Sequence, residues 1–216
     1  LRIVFVCILY LHVYITMNQT IKLTRILILG VILSSVTAYA ASVLSWKIDK
    51  SHTGVNFTTT HFFSDVTGNF KSFEGTINFD PNNLTESNVT FTIPVNSINT
   101  GDEKRDKHLQ SADFFNAKKF PEMKFISSRF SKKEDGTYMV YGNLTIKDVT
   151  KKVGMPFKIT GQMEHPMMKG TEILGISLLT KIDRTMFGVG TGSWSATAVV
   201  GDEVTIKVNM ELNRKK

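Results

Sequence analysis

Small or apolar side chains recur at every second position through most of residues 41–216. Residues 138–146 and 204–212 are two clear examples. Successive side chains of a β-strand point to opposite faces, so this period of two predicts strands with one buried face. Turn sequences, such as residues 80–83, separate the runs. We count about eight strands, which predicts an all-β fold, either an antiparallel barrel or a sandwich.

One polar segment, residues 101–119, interrupts the alternation. Its composition favours a helix, and Thr100 or Asp102 is suited to cap the first turn. Phe114 and Phe115 are apolar exceptions near its end. We therefore expect a short helical crossover that packs over one end of the barrel.

The first forty residues have the pattern of a secretory signal peptide. After Met17 come two basic residues, Lys22 and Arg25, then an apolar run at 26–33, and then a small-x-small site that ends at Ala40. The apolar core of about 11 residues is short for a membrane span, which needs about 20. We expect cleavage after Ala40 and export of the protein.

The domain organisation follows from this pattern. Residues 1–16 begin with leucine, and we expect translation to start at Met17, although an N-terminal anchor formed by residues 1–36 is the alternative. We predict an N-terminal extension and signal peptide over residues 1–40. We predict that residues 41–216 form one β-barrel domain.

The basic character of the chain belongs in part to this extension. The full sequence has 26 basic and 19 acidic residues, a net charge of +7. Three basic residues and no acid lie in residues 1–40, which leaves a net charge of +4 on residues 41–216. That modest charge argues against nucleic acid as a partner. The single cysteine, Cys7, also lies in the extension, so burial has to stabilise the predicted domain without disulfides.

Motifs typical of enzymes and metal sites do not occur in the sequence. It has no His-x-His or His-Glu-x-x-His pair for a metal and no Gly-x-Ser-x-Gly nucleophile turn. We therefore expect no catalytic residues, no metal and no cofactor.

A charged cluster, residues 105–109, follows the predicted cap of the crossover. One hypothesis is that Arg105 and Asp106 fasten the crossover by charge-assisted hydrogen bonds. The other places the cation at the mouth of a pocket, where it would face an anionic or carbonyl head group.

Several motifs, in order, together resemble the YceI-like family, and they extend across residues 46–212. The loop at residues 165–170 differs from the family pattern, so the shape of the mouth is not carried over. The matching segments are Trp46-Lys47-Ile48-Asp49-Lys50-Ser51-His52-Thr53, His61, Gly68-Asn69-Phe70, Ser97-Ile98-Asn99-Thr100, Arg105-Asp106-Lys107-His108-Leu109, Asp113-Phe114-Phe115, Phe120-Pro121, Gly142-Asn143-Leu144-Thr145-Ile146, Val149-Thr150 and Asp183-Arg184-Thr185-Met186-Phe187-Gly188.

The resemblance implies a lipocalin-like, eight-stranded antiparallel barrel with an elongated apolar cavity. It also implies a periplasmic protein that binds a polyisoprenoid lipid, such as an isoprenoid quinone or a polyprenyl phosphate. We further expect a transient contact with a membrane surface and leave a homo-oligomer open. An enzyme acting on the lipid head group and a stress-related interaction protein with a solid barrel are the alternatives.

The candidate ligand-binding residues fall into two sets. The inward-facing apolar side chains are candidates for the cavity lining, with a solid core as the alternative. Three cationic or titratable side chains are candidates for the head-group site. The lining candidates are Phe57, Phe73, Ile77, Phe79, Val89, Phe91, Phe125 and Phe157, and the head-group candidates are His52, Arg105 and His108.

Overall fold

The computed structural model describes residue 17, residues 44–196 and residues 198–216. The chain divides into two units between residues 42 and 43, and the second unit, Val43–Lys216, contains the strands described below. The predicted signal peptide, its cleavage after Ala40 and the origin of residues 1–16 fall outside the described residues. None of the helices in the described part of the chain has the length and hydrophobicity of a membrane span.

Ten strands, one α-helix and three short 3₁₀ helices (Val95–Ser97, Thr185–Phe187 and Gly192–Ser195) make up the regular structure of the described residues. Alternating burial along the strands matches the sequence pattern: in Tyr138–Ile146, for example, the first, third and fifth residues are buried. The elements are β1 (Ser45–His61), β2 (Ser64–Phe70), β3 (Glu74–Asn78), β4 (Asn88–Pro94), β5 (Ile98–Asn99), α1 (Glu103–Gln110), β6 (Glu122–Lys132), β7 (Tyr138–Ile146), β8 (Val149–Glu164), β9 (Thr171–Asp183) and β10 (Glu203–Lys215).

Eight of these strands form a closed antiparallel ring. Their order is β10, β9, β8, β7, β6, β4, β3 and β1, and a β1–β10 pairing closes the ring. Strands β2 and β5 continue the sheet beyond β1. The predicted eight-stranded antiparallel barrel is confirmed, and the sandwich alternative is excluded because the ring closes.

Strand β1 is long, and it pairs with β3 on one side and with β10 on the other. The parts of β1 before and after residues 50–53 both pair with β10. The register shifts between Asp49 and Gly54, so residues 50–53 form a bulge. Near its start β1 also pairs with β3, and beyond the bulge with β2. Strand β2, which the alternation did not predict, is mostly polar and is held by its backbone pairing with β1.

The two ends of the barrel differ in what covers them. The upper end, as we call it, carries α1 and the β9–β10 connection, residues 184–202. The lower end carries the start of β1 and the β8–β9 hairpin, residues 165–170. Each end has its own cluster of buried hydrophobic residues, and Phe91, Leu144 and Ile48 pack against both clusters.

The helix occupies only the first part of the predicted crossover segment, residues 101–119. Helix α1 covers eight residues, and Asp102 caps it by accepting hydrogen bonds from the backbone N–H groups of Lys104 (2.9 Å) and Arg105 (3.0 Å). Turns replace the helix after residue 110. Phe114 is buried in the upper cluster, which confirms that the crossover packs over one end of the barrel.

Candidate ligand-binding cavity

An apolar cavity of about 280 Å³ lies inside the barrel. Residues of the upper and the lower cluster both line it, so the cavity extends along the barrel. Three of its lining residues, Met123, Met155 and Met210, have unbranched, flexible side chains. Arg184 is the charged residue among the described lining residues.

Seven of the eight lining candidates face this cavity. Phe73 does not line it. Phe73 immediately precedes β3 and is buried in the upper cluster, with its ring stacked on that of Phe91 at a centroid distance of 5.8 Å. The seven that line the cavity are Phe57, Ile77, Phe79, Val89, Phe91, Phe125 and Phe157.

A layer of aromatic side chains fills the lower end. The ring of Phe79 contacts those of Phe130, Tyr138 and Phe157 at centroid distances of 5.6, 5.7 and 5.5 Å. The indole Nε1 of Trp46 donates a buried hydrogen bond of 2.8 Å to the Phe79 carbonyl oxygen. This packing places the lower end of the cavity against a tightly held layer of side chains.

An ion pair lies beside this aromatic layer. The Arg214 guanidinium pairs with the Glu172 carboxylate, and its Cζ lies 5.0 Å from the centroid of the Trp46 ring. Both charged side chains are largely buried, with exposed fractions of 19% and 13%. The lower end of the barrel therefore contains a largely buried ion pair as well as aromatic contacts.

Arg184 lies at the upper end of the cavity, directly after β9. It is 6% exposed, and its guanidinium donates three hydrogen bonds to backbone carbonyl oxygens. Nε donates to Gly201 (2.8 Å), Nη1 to Val189 (2.7 Å) and Nη2 to Val200 (2.6 Å). Burial lowers the pKa of Arg184, against the opposing effect of nearby aspartates. In the sequence, the signals for Arg184 are its place in the segment Asp183–Gly188 and its position as a single arginine at the end of an apolar strand.

Arg105 and His108 do not line the cavity. Arg105 is exposed, and its Nε and Nη2 donate to the hydroxyl and the carbonyl oxygen of Thr100, both at 2.8 Å. His108 Nε2 lies 3.0 Å from Asp113 Oδ2, and its ring packs against that of Trp194 at 5.0 Å. These contacts agree with the hypothesis that the charged cluster fastens the crossover by hydrogen bonds.

His52 lies on the bulge of β1 and does not line the cavity either. Its Nδ1 is 3.0 Å from Asp49 Oδ2 and 3.8 Å from Glu211 Oε1. The hydrogen bond that Asp49 accepts from the imidazole raises the pKa of His52, and the same bond lowers the pKa of Asp49. One ligand atom from each of these three residues lies within 4.8 Å of the others. The His52 side chain is 66% exposed, which suits a surface ion pair.

The fold and the cavity together define a class of protein. An eight-stranded barrel is just wide enough inside to hold one small ligand, and an apolar lining selects for an apolar one. The geometry is therefore that of a lipocalin-like barrel with an internal apolar cavity.

Comparison with known proteins gives the family. The family model of the YceI-like domain matches residues 46–212, and the chain belongs to the YceI-like family. Protein YceI of Salmonella arizonae is 37% identical over 189 residues, which covers 85% of this chain and 95% of that protein.

Solved structures show the same barrel. The Campylobacter jejuni YCEI protein is 36% identical, with a TM-score of 0.65 over 79% of this chain and 98% of its own. A polyisoprenoid-binding domain from Saccharophagus degradans, implicated in plant cell wall breakdown, has a TM-score of 0.60 over 78% of this chain and 98% of its own. At 13% identity, that second likeness concerns the fold alone.

Proposed function

We propose that this protein binds the chain of a polyisoprenoid lipid, such as an isoprenoid quinone or a polyprenyl phosphate, inside its barrel. The observation that carries the proposal is the elongated apolar cavity that extends through both hydrophobic clusters. The structural likeness to a polyisoprenoid-binding domain supports it at the level of the fold.

The dimensions of the barrel suit an extended chain. The 13 residues of β9, at about 3.3 Å each and tilted by about 40°, span roughly 33 Å. An isoprene unit extends over roughly 4–5 Å. The cavity volume of about 280 Å³ is near the lower limit of ligand pockets, so a long chain requires the flexible lining to move. The three lining methionines provide that adaptability.

The energetics indicate that the head group, rather than the chain length, determines which lipid binds more tightly. Burial gives about 0.8 kcal/mol for each CH₂-sized group, which for a long isoprenoid chain gives tens of kcal/mol before ordering costs. Non-covalent affinities reach at most about 20 kcal/mol, so ordering and partial exposure have to cancel much of that gain. Chains of different length should therefore bind with similar affinity, whereas different head groups should not.

We propose binding rather than turnover, for transport, storage or sequestration of the lipid in the periplasm. Among the described lining residues, the charged group is a guanidinium held by backbone carbonyls, which is not a nucleophile or a general base at neutral pH. The periplasmic location rests on the signal-peptide pattern of residues 17–40, and a transient membrane contact would allow loading.

Native mass spectrometry of the protein isolated from the periplasm tests the proposal directly. We expect a lipid adduct near one per chain, identified as an isoprenoid by extraction. A protein that carries no lipid and also rejects an added isoprenoid quinone and an added polyprenyl phosphate would contradict the proposal.

A pair of isoleucine variants separates a ligand cavity from a solid core. Ile77 is 4% exposed and lines the cavity, so Ile77→Trp should narrow the cavity and weaken isoprenoid binding at least tenfold. Ile126 is 46% exposed on β6, and Ile126→Trp is the matched control that should bind normally. Equal binding by the two variants would mean that the lipid does not occupy this cavity.

A further inference from the structure

Two phenylalanines are exposed side by side at the tip of the β1–β2 hairpin. Phe62 and Phe63 form its two-residue loop, between the paired residues His61 and Ser64. Phe63 is fully exposed, and Phe62 is 55% exposed. Single exposed apolar residues are ordinary on protein surfaces, whereas adjacent exposed aromatic rings at the tip of a hairpin suggest an interaction site.

The requirements of the turn do not explain these phenylalanines. Phe62 has a φ of +51°. Glycine usually occupies a hairpin position with positive φ, and a bulky side chain is unfavourable there. Packing compensates little, because the Phe62 ring contacts the ring of another exposed residue, His61, at a centroid distance of 4.6 Å. Unfavourable backbone conformations of this kind cluster at functional sites.

The hairpin is tied to the upper end of the cavity. The backbone N–H of Phe62 donates to the Val199 carbonyl oxygen at 2.9 Å, and His61 pairs with Val200 in an isolated antiparallel bridge. Val200 lines the cavity, and so does Thr59, which lies in β1 just before the tip. The two exposed rings therefore lie beside the upper end of the cavity.

The charges around the hairpin do not favour an anionic partner. Residues 60–65 and the β9–β10 connection, residues 184–202, contain no lysine. Their one arginine, Arg184, is buried, whereas Asp65 and Asp202 are exposed. These two segments thus present no exposed Lys or Arg to anionic lipid head groups, and contact with a bilayer has to come from insertion of apolar side chains.

We propose that the β1–β2 hairpin docks the protein on a lipid bilayer by inserting Phe62 and Phe63 at the boundary between head groups and acyl chains. Met186, 52% exposed in the β9–β10 connection, adds a third apolar side chain at the same end. The proposal rests on the proposed function, because it takes a membrane lipid as the ligand of the cavity. Docking in this way places the upper end of the cavity next to the bilayer from which that lipid comes.

A tryptophan placed at the tip tests the insertion. Bromine atoms on the acyl chains of phosphatidylcholine quench an indole only when the indole reaches them. In Phe63→Trp we expect vesicles of brominated phosphatidylcholine to reduce the fluorescence of the added tryptophan at least twofold, after subtraction of the signal of the unmodified protein with Trp46 and Trp194.

The opposite end of the barrel offers a matched control. Met167 is 85% exposed in the β8–β9 hairpin at the lower end, so Met167→Trp carries an equally accessible indole. We expect its fluorescence to change by less than about a tenth with the same vesicles. Equal quenching of the two variants would overturn the proposal, because it would mean adsorption without a preferred end.

The composition of the vesicles tests the part played by charge. Replacing about one third of the phosphatidylcholine by phosphatidylglycerol should change the quenching of Phe63→Trp by less than about twofold, because the two segments present no exposed Lys or Arg. Quenching that requires phosphatidylglycerol would overturn the proposal, since an electrostatic contact elsewhere on the surface would then carry the binding.

A polar hairpin connects docking with loading. Phe62→Asn/Phe63→Ser should slow uptake of an isoprenoid quinone from vesicles at least tenfold, and it should leave the affinity for a short-chain isoprenoid quinone supplied without vesicles unchanged within about threefold. The matched variant Met167→Ser/Met168→Ser, at the lower end, should take up the quinone at the normal rate. Equal uptake rates in the two double variants would overturn the role of the hairpin in loading.

The remaining outcomes separate docking from its alternatives. If the unmodified protein is a dimer in analytical ultracentrifugation and Phe62→Asn/Phe63→Ser is a monomer, a second copy covers the hairpin and the proposal is wrong. Uptake of the quinone without quenching of Phe63→Trp would overturn docking and leave the lipid-binding function intact. Quenching of Phe63→Trp in a protein that takes up no isoprenoid would support docking and contradict the lipid-binding function.

Discussion

At the scale of single residues, the partners of a side chain decide its role more than its type does. Arg105 and Arg184 both donate to backbone carbonyl oxygens. Arg105 does so on the exposed surface of the crossover, whereas Arg184 does so at the wall of an apolar cavity. Arg105 therefore ties the start of the helix to Thr100, and Arg184 ties the end of β9 to the β9–β10 connection.

The pair formed by Asp49 and His52 gives a prediction about pKa values. Asp49→Asn removes the largest cause of the raised pKa of His52, so this pKa should fall toward the ordinary value near 6.5. NMR titration of the imidazole protons measures it. Glu211→Gln is the control with a smaller expected effect. It should lower the pKa of His52 less than Asp49→Asn does, because Glu211 is farther from His52 and contributes through charge alone. An unchanged pKa in Asp49→Asn would show that the pair does not form in solution.

The same pair sets a pH window for stability. The raised pKa of His52 adds stability that is complete below about pH 6.5 and lost as pH rises through the folded-state pKa. The lowered pKa of Asp49 adds stability that is present above about pH 4 and lost as pH falls through its folded-state pKa. We expect Asp49→Asn to be most destabilising between these limits, measured by urea unfolding at several pH values. A loss that is constant from pH 4 to 9 would contradict this.

Two leucines of β9 test the packing of the lower cluster. Leu174 has no exposed surface and does not line the cavity, so Leu174→Ala should lower the free energy of unfolding by about 2–5 kcal/mol. Leu179 is 58% exposed on the same strand, and Leu179→Ala should change stability by less than about 0.5 kcal/mol. Denaturant unfolding compares them, and similar losses would mean that the lower cluster is loosely packed.

At the scale of elements, the contact between β6 and β7 depends on a glycine. A Cβ at Gly142 would overlap the backbone oxygen of Ile126 and the ring of Phe125, beside the bulge of β6 that follows Ser127. Gly142→Ala should therefore destabilise the protein by about 1–3 kcal/mol, as overpacking does. Thermal unfolding measures the change.

A second glycine provides the matched control for this strand contact. Gly161 lies on β8, and nothing lies within 4 Å of a Cβ built there. Gly161→Ala should leave stability unchanged or raise it slightly, because the unfolded chain loses freedom. If the two variants have equal stability, the strand contact at Gly142 is looser than described.

At the scale of the whole molecule, closure of the ring should make the barrel unfold as one unit. The two tryptophans report on opposite ends: Trp46 is buried at the lower end, and Trp194 packs against the upper cluster. In Trp194→Phe, fluorescence of Trp46 should give the same denaturant midpoint as circular dichroism, and Trp46→Phe should give the same agreement for Trp194. Separate midpoints within one variant would mean that the ends unfold independently.

Local chemistry made much of the fold predictable. Alternation identified β7 and β10, because one face of each is buried, and Asp102 was recognisable as a cap because its side chain accepts from backbone N–H groups. Strand β2 was missed because its residues are mostly polar and its pairing with β1 comes from the backbone. The polar residues after Gln110 are suited to helix and to turns alike, so composition did not determine where the helix ends.

For the candidate site, local sequence patterns predict the positions of side chains but not the cavity. Inward-facing positions follow from the period of two, and seven of the eight lining candidates face the cavity, whereas Phe73 precedes the ladder of β3 and does not. Whether inward side chains fill a core or leave a cavity depends on the ring's closure and circumference, which no single strand encodes. The position of Arg184 depends on how the β9–β10 connection folds back over the barrel, through hydrogen bonds to residues 5 to 17 positions away. The sequence alone thus determined most of the strands, the helix cap and the inward faces, because these depend on residues close together in the chain. The tertiary structure decided the cavity and its buried charge, because these depend on contacts between distant parts of the chain.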